Sequence, residues 1–281
     1  MIYLDTAATS FNKPDAVYRA VYSAMKNFGA NAGRGGHRLS VKSGEIVYEA
    51  REAAAALFGI ADPTEIAFFP NTTYALNSAV FGSVKENGHV ITTSMEHNSV
   101  IRPLAELQRE GKIELSVIKG DENGRISSED LKRAFKKNTC LVVMTHASNV
   151  CGNVYDIEAA AEISHKRGVP ILIDAAQSAG SIKIDAKKFD MIAFPGHKGL
   201  MGPQGTGGLY VSSDIRLKPL VFGGTGSLSE SVYQPEDMPD RLESGTVNMP
   251  ALAGLSEGIN FIMREGIENI HAHEMELFNY A

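Results

Sequence analysis

Tryptophan is absent from this chain of 281 residues, and only two cysteines, Cys140 and Cys151, occur in it. Neither cysteine belongs to a Cys-x-x-Cys pair or a zinc pattern, which argues against a disulfide scaffold and against structural zinc. No apolar run approaches the ~18 to 20 residues of a membrane span. The opening stretch "MIYLDTAATS" also has neither the basic end nor the long apolar segment of a signal peptide. No membrane partner and a cytoplasmic location are therefore expected. Basic residues are too few and too scattered for a phosphate-tracking surface: 27 Lys and Arg against 33 Asp and Glu leave a net charge of −6. A small molecule or a protein is the expected partner, not nucleic acid. Internal repeats and low-complexity linkers are missing too, and 43% hydrophobic with 21% charged residues is the balance of a globular chain with a large core.

What the chain does have is alternation. "KPDAVYRAVYSAMKNFG" puts Pro14 where a first helical turn tolerates it, lines Val17, Ala20, Val21, Ala24 and Phe28 along one face, and stops at Gly29. A second amphipathic helix is expected from about Ser43 to Phe58. Short apolar runs follow, separated by helical patterns: "EIAFF", "HVITTS", "IELSVIKG", "TCLVVMTH", "VPILIDA", "FDMIAF" and "GGLYVSS". Strands this continuously apolar indicate a sheet covered on both faces, hence a mainly parallel seven-stranded α/β domain. From "NMPALAGLSEGINFIMREG" onward the pattern is helical only.

In open sheets of this kind ligands sit beyond the carboxyl ends of the strands. Thr72 and Thr73, Glu96 and His97, Asn149, Asp174 and Lys198 all follow such runs. Each has a plain reading beside a chemical one. Asp174 suits a helix N-cap, or the carboxylate opposite a pyridine nitrogen; Lys198 suits a solvated surface, or a Schiff-base lysine in the glycine-flanked turn "PGHKG". Thr72 and Thr73 suit a helix cap, a phosphate site, or both at once. His97 suits a cap or a ring stacked on a planar group. Asn149 and Gln177 suit turns or hydrogen bonds to a phenolic oxygen. The glycine-rich "GPQGTGGLY" matches no nucleotide loop and reads as a bend. His271 and His273, two apart, point to different sides of a helix and form no metal pair. Cys140 reads as core, and Cys151 as an inert turn residue.

In order along the chain, "YLDTAATS", "NAGRGGHRLS", "FPNTTYALN", "SMEHNSVIRP", "HASNVCGNVYDI", "ILIDAAQSAG", "FPGHKGLMGPQGTGGLY" and "ESGTVNMPALAGL" resemble the class V aminotransferase group of fold-type I pyridoxal-phosphate enzymes. Within it the cysteine desulfurase and selenocysteine lyase branch is the most similar. The resemblance implies pyridoxal 5′-phosphate held by Lys198, with Asp174 on the ring nitrogen, Gln177 on the phenolic oxygen and His97 stacked on the ring. It further implies phosphate contacts from Thr72, Thr73 and His197, Asn149 beside ring and substrate, and Thr246 reaching the phosphate of a neighbouring subunit in a homodimer. Arg34 corresponds to a substrate-side arginine. Pro195 departs from the pattern, standing where many relatives have a serine.

The implied reaction converts cysteine, or selenocysteine, to alanine and a protein-bound sulfur that passes to an acceptor protein. Class V transamination, another pyridoxal-phosphate lyase reaction, and a non-catalytic cofactor-binding module are the alternatives. The expected division is an N-terminal segment 1–14, a cofactor-binding large domain 15–250, and connecting helices 251–281 that begin a small domain. In the family that small domain carries the substrate-carboxylate arginine and the sulfur-accepting cysteine loop. The 281-residue chain is therefore expected to bind cofactor but to be poor at sulfur transfer.

Overall fold

The computed structural model describes residues 2–33 and 36–280. Each apolar run forms a strand: β1 (Ile66–Phe69), β2 (Gly88–Thr93), β3 (Ile113–Ile118), β4 (Thr139–Thr145), β5 (Ile171–Asp174), β6 (Met191–Pro195) and β7 (Gly207–Val211). They make one seven-stranded sheet in the order β1-β7-β6-β5-β4-β2-β3. Pairings among β2, β3, β4, β5 and β6 are parallel, and β7 alone runs antiparallel, to β1 and to β6. Every residue of β2, β5, β6 and β7 is buried. Accordingly β5 up to Asp174, β6 and β7 are apolar runs with no alternation, while β2 also buries His89, Thr92 and Thr93. At the sheet edge β3 exposes Glu114 and Val117 and reads as a half-covered strand.

Helices cover both faces: α1 (Asp15–Asn27), α2 (Arg38–Phe58), α3 (Thr72–Ser83), α4 (Asn98–Arg109), α5 (Ser128–Ala134), α6 (Ile157–His165), α7 (Met249–Glu265) and α8 (Ile267–Tyr280). Alternate strand residues face opposite layers. Ile171 and Ile173 pack into the layer of α2, α6 and α7, while Leu172 packs into that of α3 and α4. Leu252, Leu255, Ile259 and Ile262 of α7 join the first layer, so this helix is core, not a surface connector. Truncating Leu255, fully buried, to alanine costs about 2–5 kcal/mol. By contrast α8 buries no residue.

One helix differs from expectation. α2 begins at Arg38 and not near Ser43, because His37 caps it, Nδ1 accepting the Ser40 amide at 3.3 Å. Ser43 lies inside the helix, its hydroxyl donating to the Phe28 and Leu39 carbonyls at 2.7 and 2.9 Å. No helix among the described residues is long and apolar enough to cross a membrane.

The strand order reverses between β2 and β4. The chain leaves β2 for α4 on one face and β4 for α6 on the other. Diverging connections open a crevice at the carboxyl ends of these strands, the place where open α/β sheets bind ligands.

Candidate active site

A cavity of about 370 Å³ occupies that crevice, and its walls include Thr72, Thr73, His97, Asn149, Asp174, Gln177, His197 and Lys198. Five separate strand ends supply them, as the sequence pattern anticipated. Thr246 lies elsewhere, bordering two other cavities, and accepts a hydrogen bond from Asn31 at 3.3 Å. Arg34 is outside the described residues.

Asp174 ends β5 with its carboxyl buried, and turns follow it, so it has no helix to cap. Oδ1 accepts the Ala176 amide at 2.9 Å. Burial pushes its pKa up to about 6, against the pull of that N–H and of the Lys198 charge. At neutral pH it remains a carboxylate. Lys198 lies in the turn after β6, where burial holds the amine below its ordinary value and Asp174 opposes the shift. A lysine so placed reaches its nucleophilic free-base form more readily than a surface lysine.

Glycine makes this approach of two chain segments geometrically feasible. A Cβ on Gly199 would lie 2.4 Å from the Ala179 carbonyl oxygen, so the Lys198 turn and the turn after Asp174 touch backbone to backbone. Gly207 of β7 plays a similar part for α3, since a Cβ there would meet the Asn71 backbone at 2.8 Å.

At the opposite wall α3 points its N-terminus into the cavity. Asn71 caps it, Oδ1 accepting the Tyr74 amide at 3.1 Å, which leaves the caps expected of Thr72 and Thr73 to a neighbour. The first-turn amides of a helix have no intrahelical partner. Thr72 Oγ1 is buried and has no hydrogen-bond partner among the described residues, at a helix N-terminus that is electropositive by geometry. Thr73 Oγ1 lies 2.9 Å from Ser99 Oγ, and Ser99 Oγ lies 2.8 Å from His97 Nδ1.

His97 does cap α4: Nδ1 accepts the Ser99 amide at 3.1 Å. That bond places the ring proton on Nε2. Burial, with help from the Lys198 and Arg102 charges, holds the pKa below its usual value and the ring neutral. The cap expected from sequence is present, and the same side chain borders the cavity.

Sequence reasoning missed the clamp formed by the N-terminal segment. Ser10 N and Oγ donate to the His197 carbonyl at 2.9 and 3.0 Å, and Thr9 Oγ1 sits 3.0 Å from His197 Nδ1. Gln177 donates to the Ala7 carbonyl at 3.3 Å. Nothing local in "TAATS" signals such contacts across the length of the chain. Glu96 was noted at a strand end but given no role, although its carboxyl lies buried beside the site. Pro195 is buried at the end of β6 on the cavity wall, with no hydroxyl to offer. Cys140 is half-buried in β4 and Cys151 is exposed in the loop after Asn149. No group of three or more His, Cys, Asp or Glu among the described residues is arranged to hold a metal ion.

The chain matches the family model for class V aminotransferases over residues 2–281. It is 38% identical over 283 residues to a probable cysteine desulfurase of Methanothermobacter thermautotrophicus, covering 98% of this chain and 70% of that protein. A probable cysteine desulfurase of Pyrococcus abyssi is 35% identical over 286 residues, covering 99% and 71%. Among solved structures, the apo cysteine desulfurase from Thermococcus onnurineus NA1 superimposes with a TM-score of 0.92 at 34% identity, over 99% of this chain and 71% of that one. A structure of SspA in complex with cysteine is similar at a TM-score of 0.82 and 28% identity, over 92% and 72%.

Proposed function

The chain belongs to the class V aminotransferase family of enzymes, and from that premise we propose that it is a pyridoxal 5′-phosphate enzyme of cysteine desulfurase type. The observation that carries this reading is Lys198 and Asp174 brought together on the cavity wall, with the N-terminus of α3 across from them. The residues present suit that cofactor. Thr72 Oγ1, buried without a partner at a helix N-terminus, fits a phosphate oxygen, and Asp174, buried and ionised, fits a protonated ring nitrogen. When bound, pyridoxal phosphate supplies an aldehyde that condenses with an amine and a ring that accepts the electron pair released at the substrate α-carbon.

In this reading each side chain has a defined task. Lys198 would hold the cofactor through Nζ, and its amine, which burial pushes toward the free base, would be the group that moves the substrate α-proton. Asp174 holds the ring-nitrogen proton in place. His97, neutral and fixed by its cap on α4, covers the ring face and presents Nε2–H. Thr72, Thr73 and His197 bind phosphate, Gln177 the phenolic oxygen, and Asn149 lies beside ring and substrate. The Ser10 and Thr9 contacts hold the His197–Lys198 turn so that neither residue must be ordered on binding. Cysteine is the favoured substrate, from the likeness to desulfurases and to a protein solved with cysteine.

A homodimer with shared sites is part of the proposal. Thr246 is not among the residues that line the Lys198 cavity, and it belongs to a stretch that exposes Val221, Phe222, Val232 and Tyr233. Neither Cys140 in its strand nor Cys151 on its exposed loop is among the residues that line the cavity.

The test is a visible spectrum of the chain with pyridoxal phosphate, then borohydride reduction and peptide mapping. The adduct should lie on the peptide containing Lys198, and Lys198→Ala should abolish it and slow the loss of the substrate α-proton by about 10²–10⁴-fold. An adduct on another lysine, or none, would sink the reading. Keto-acid formation from an amino donor, without alanine from cysteine, would point to transamination.

A further inference from the structure

Near Asp174 lies a second carboxyl, that of Glu96, to which the proposed chemistry assigns no task. It sits where the connections after β2 and β4 part. Oε1 accepts the Thr93 hydroxyl at 2.7 Å and the Thr145 amide at 3.0 Å, tying the two strands together at their carboxyl ends. Thr145 is registered against Asp174, and the next amide, His146 N, donates to the Asp174 carbonyl at 2.9 Å. Both acids therefore hang on the same stretch of β4.

Glu96 Oε2 is shielded from solvent and has no hydrogen-bond partner among the described residues. The titratable groups that face this carboxyl are Asp174 from β5 and Tyr155 from the loop before α6, whose hydroxyl is also buried and unbonded. Lys198 faces Asp174, and His97, on the Glu96 connection, is turned to cap α4. Among the described residues no cation is therefore directed at Glu96. A buried carboxylate with an unbonded oxygen, beside a second carboxylate, is a poor place for charge. Burial pushes Glu96 up to about 8, against the hydrogen bonds from Thr93 and Thr145 and with a further push from Asp174. Asp174, supported by the Ala176 amide and by Lys198, stays near 6. Two neighbouring acids whose environments separate them in this way divide their roles, one neutral and one charged.

We propose that Glu96 is a positioning residue that works through Asp174: as an uncharged acid it fastens the ends of β2 and β4 and leaves the crevice's buried negative charge on Asp174, opposite Lys198. The inference rests on the cofactor reading, since the charge on Asp174 matters to the reaction only if a ring nitrogen faces it.

Glu96→Gln keeps the Oε1 acceptor and has no proton to lose. The folded protein binds the Glu96 proton more tightly than the unfolded chain does, so folding is weakened as pH rises and the penalty is complete once pH passes the folded value. Asp174 acts in the same sense but only to about 6, and His146, lowered to about 4 by burial, acts oppositely below its ordinary value of 6.5. Denaturant unfolding of the cofactor-free proteins between about pH 6.5 and 8.5 should therefore show the wild-type unfolding constant climbing relative to the variant by up to about tenfold per pH unit, then running parallel. The carboxyl carbon resonance of Asp174 should carry a second inflection near pH 8 in wild type only. The ratio of their pyridoxal phosphate affinities should change across the same pH.

Superimposable unfolding curves, or identical Asp174 titrations, would overturn the proposal. If Glu96→Gln fails to fold, wild-type Asp174 decides: a single step without the later inflection overturns it. Failure of both proteins to bind pyridoxal phosphate, with the cofactor-free difference intact, would instead overturn the underlying reading and the positioning role with it.

Discussion

Asp174 ends a strand whose residues are all buried, whereas Thr246 belongs to the stretch between β7 and α7, residues 212–248, in which neither helix nor strand is formed. The first is located by main-chain pairing to β4 and β6 on either side. The second is held by side chains: Asn31 on Thr246, Gln234 reaching Ser244 at 3.0 Å, and the Arg51–Glu243 ion pair at 2.7 Å. The strand end is complete within one chain. The irregular stretch leaves Val232 91% and Tyr233 82% exposed, apolar surface in search of cover. The floor proposed to hold the cofactor is thus built from strands, while the stretch proposed to meet a second subunit is pinned at a few points.

The largest effect is expected at the tie between the two regions. Glu243 accepts from Arg51 and from the Phe68 amide of β1, and Arg51 also donates to the Ile66 carbonyl; Arg51 and Glu243 side chains are 5% and 8% exposed. Glu243→Ala leaves a buried guanidinium uncompensated and should lower stability by about 3–5 kcal/mol in urea unfolding. Replacing both partners with apolar residues of similar volume should recover much of that loss. A Glu243→Ala loss no greater than that of a surface pair would show that the irregular stretch is held by something else.

At the strand end, Asp174→Asn should leave the fold intact, because a neutral amide suits the buried site, yet reduce turnover by about 10²–10³-fold. Circular dichroism and kcat measured together separate the two effects. Equal losses of both would make Asp174 a structural residue. The smallest change is expected from Thr246→Ala, about 1 kcal/mol of cofactor affinity, a factor near five, seen in dimeric protein and absent from any monomer resolved by sedimentation.

Much of this molecule was legible in the residues. Seven apolar runs became seven strands; in the interior of the sheet this is because strands buried on both faces need hydrophobicity without alternation, while β3 at the edge is half-covered. Asp174 and Lys198 could be paired in advance because strand ends gather at one edge of such a sheet. The start of α2 was not legible, since histidine is an uncommon N-cap and Ser43 imitates a start while bonding inside the helix. The Thr9 and Ser10 clamp on His197 joins positions too distant in sequence for any local pattern to connect.

Local chemistry along the chain was thus enough to specify the sheet, its covering helices and the identities of the groups that meet in the crevice. Their ionisation came from packing alone. Asp174 and Glu96 are both acids at strand ends, and nothing in either sequence neighbourhood makes one carry charge and the other a proton. The difference arises because the fold gives Asp174 an amide and a nearby ammonium, and leaves one oxygen of Glu96 buried without a partner among the described residues.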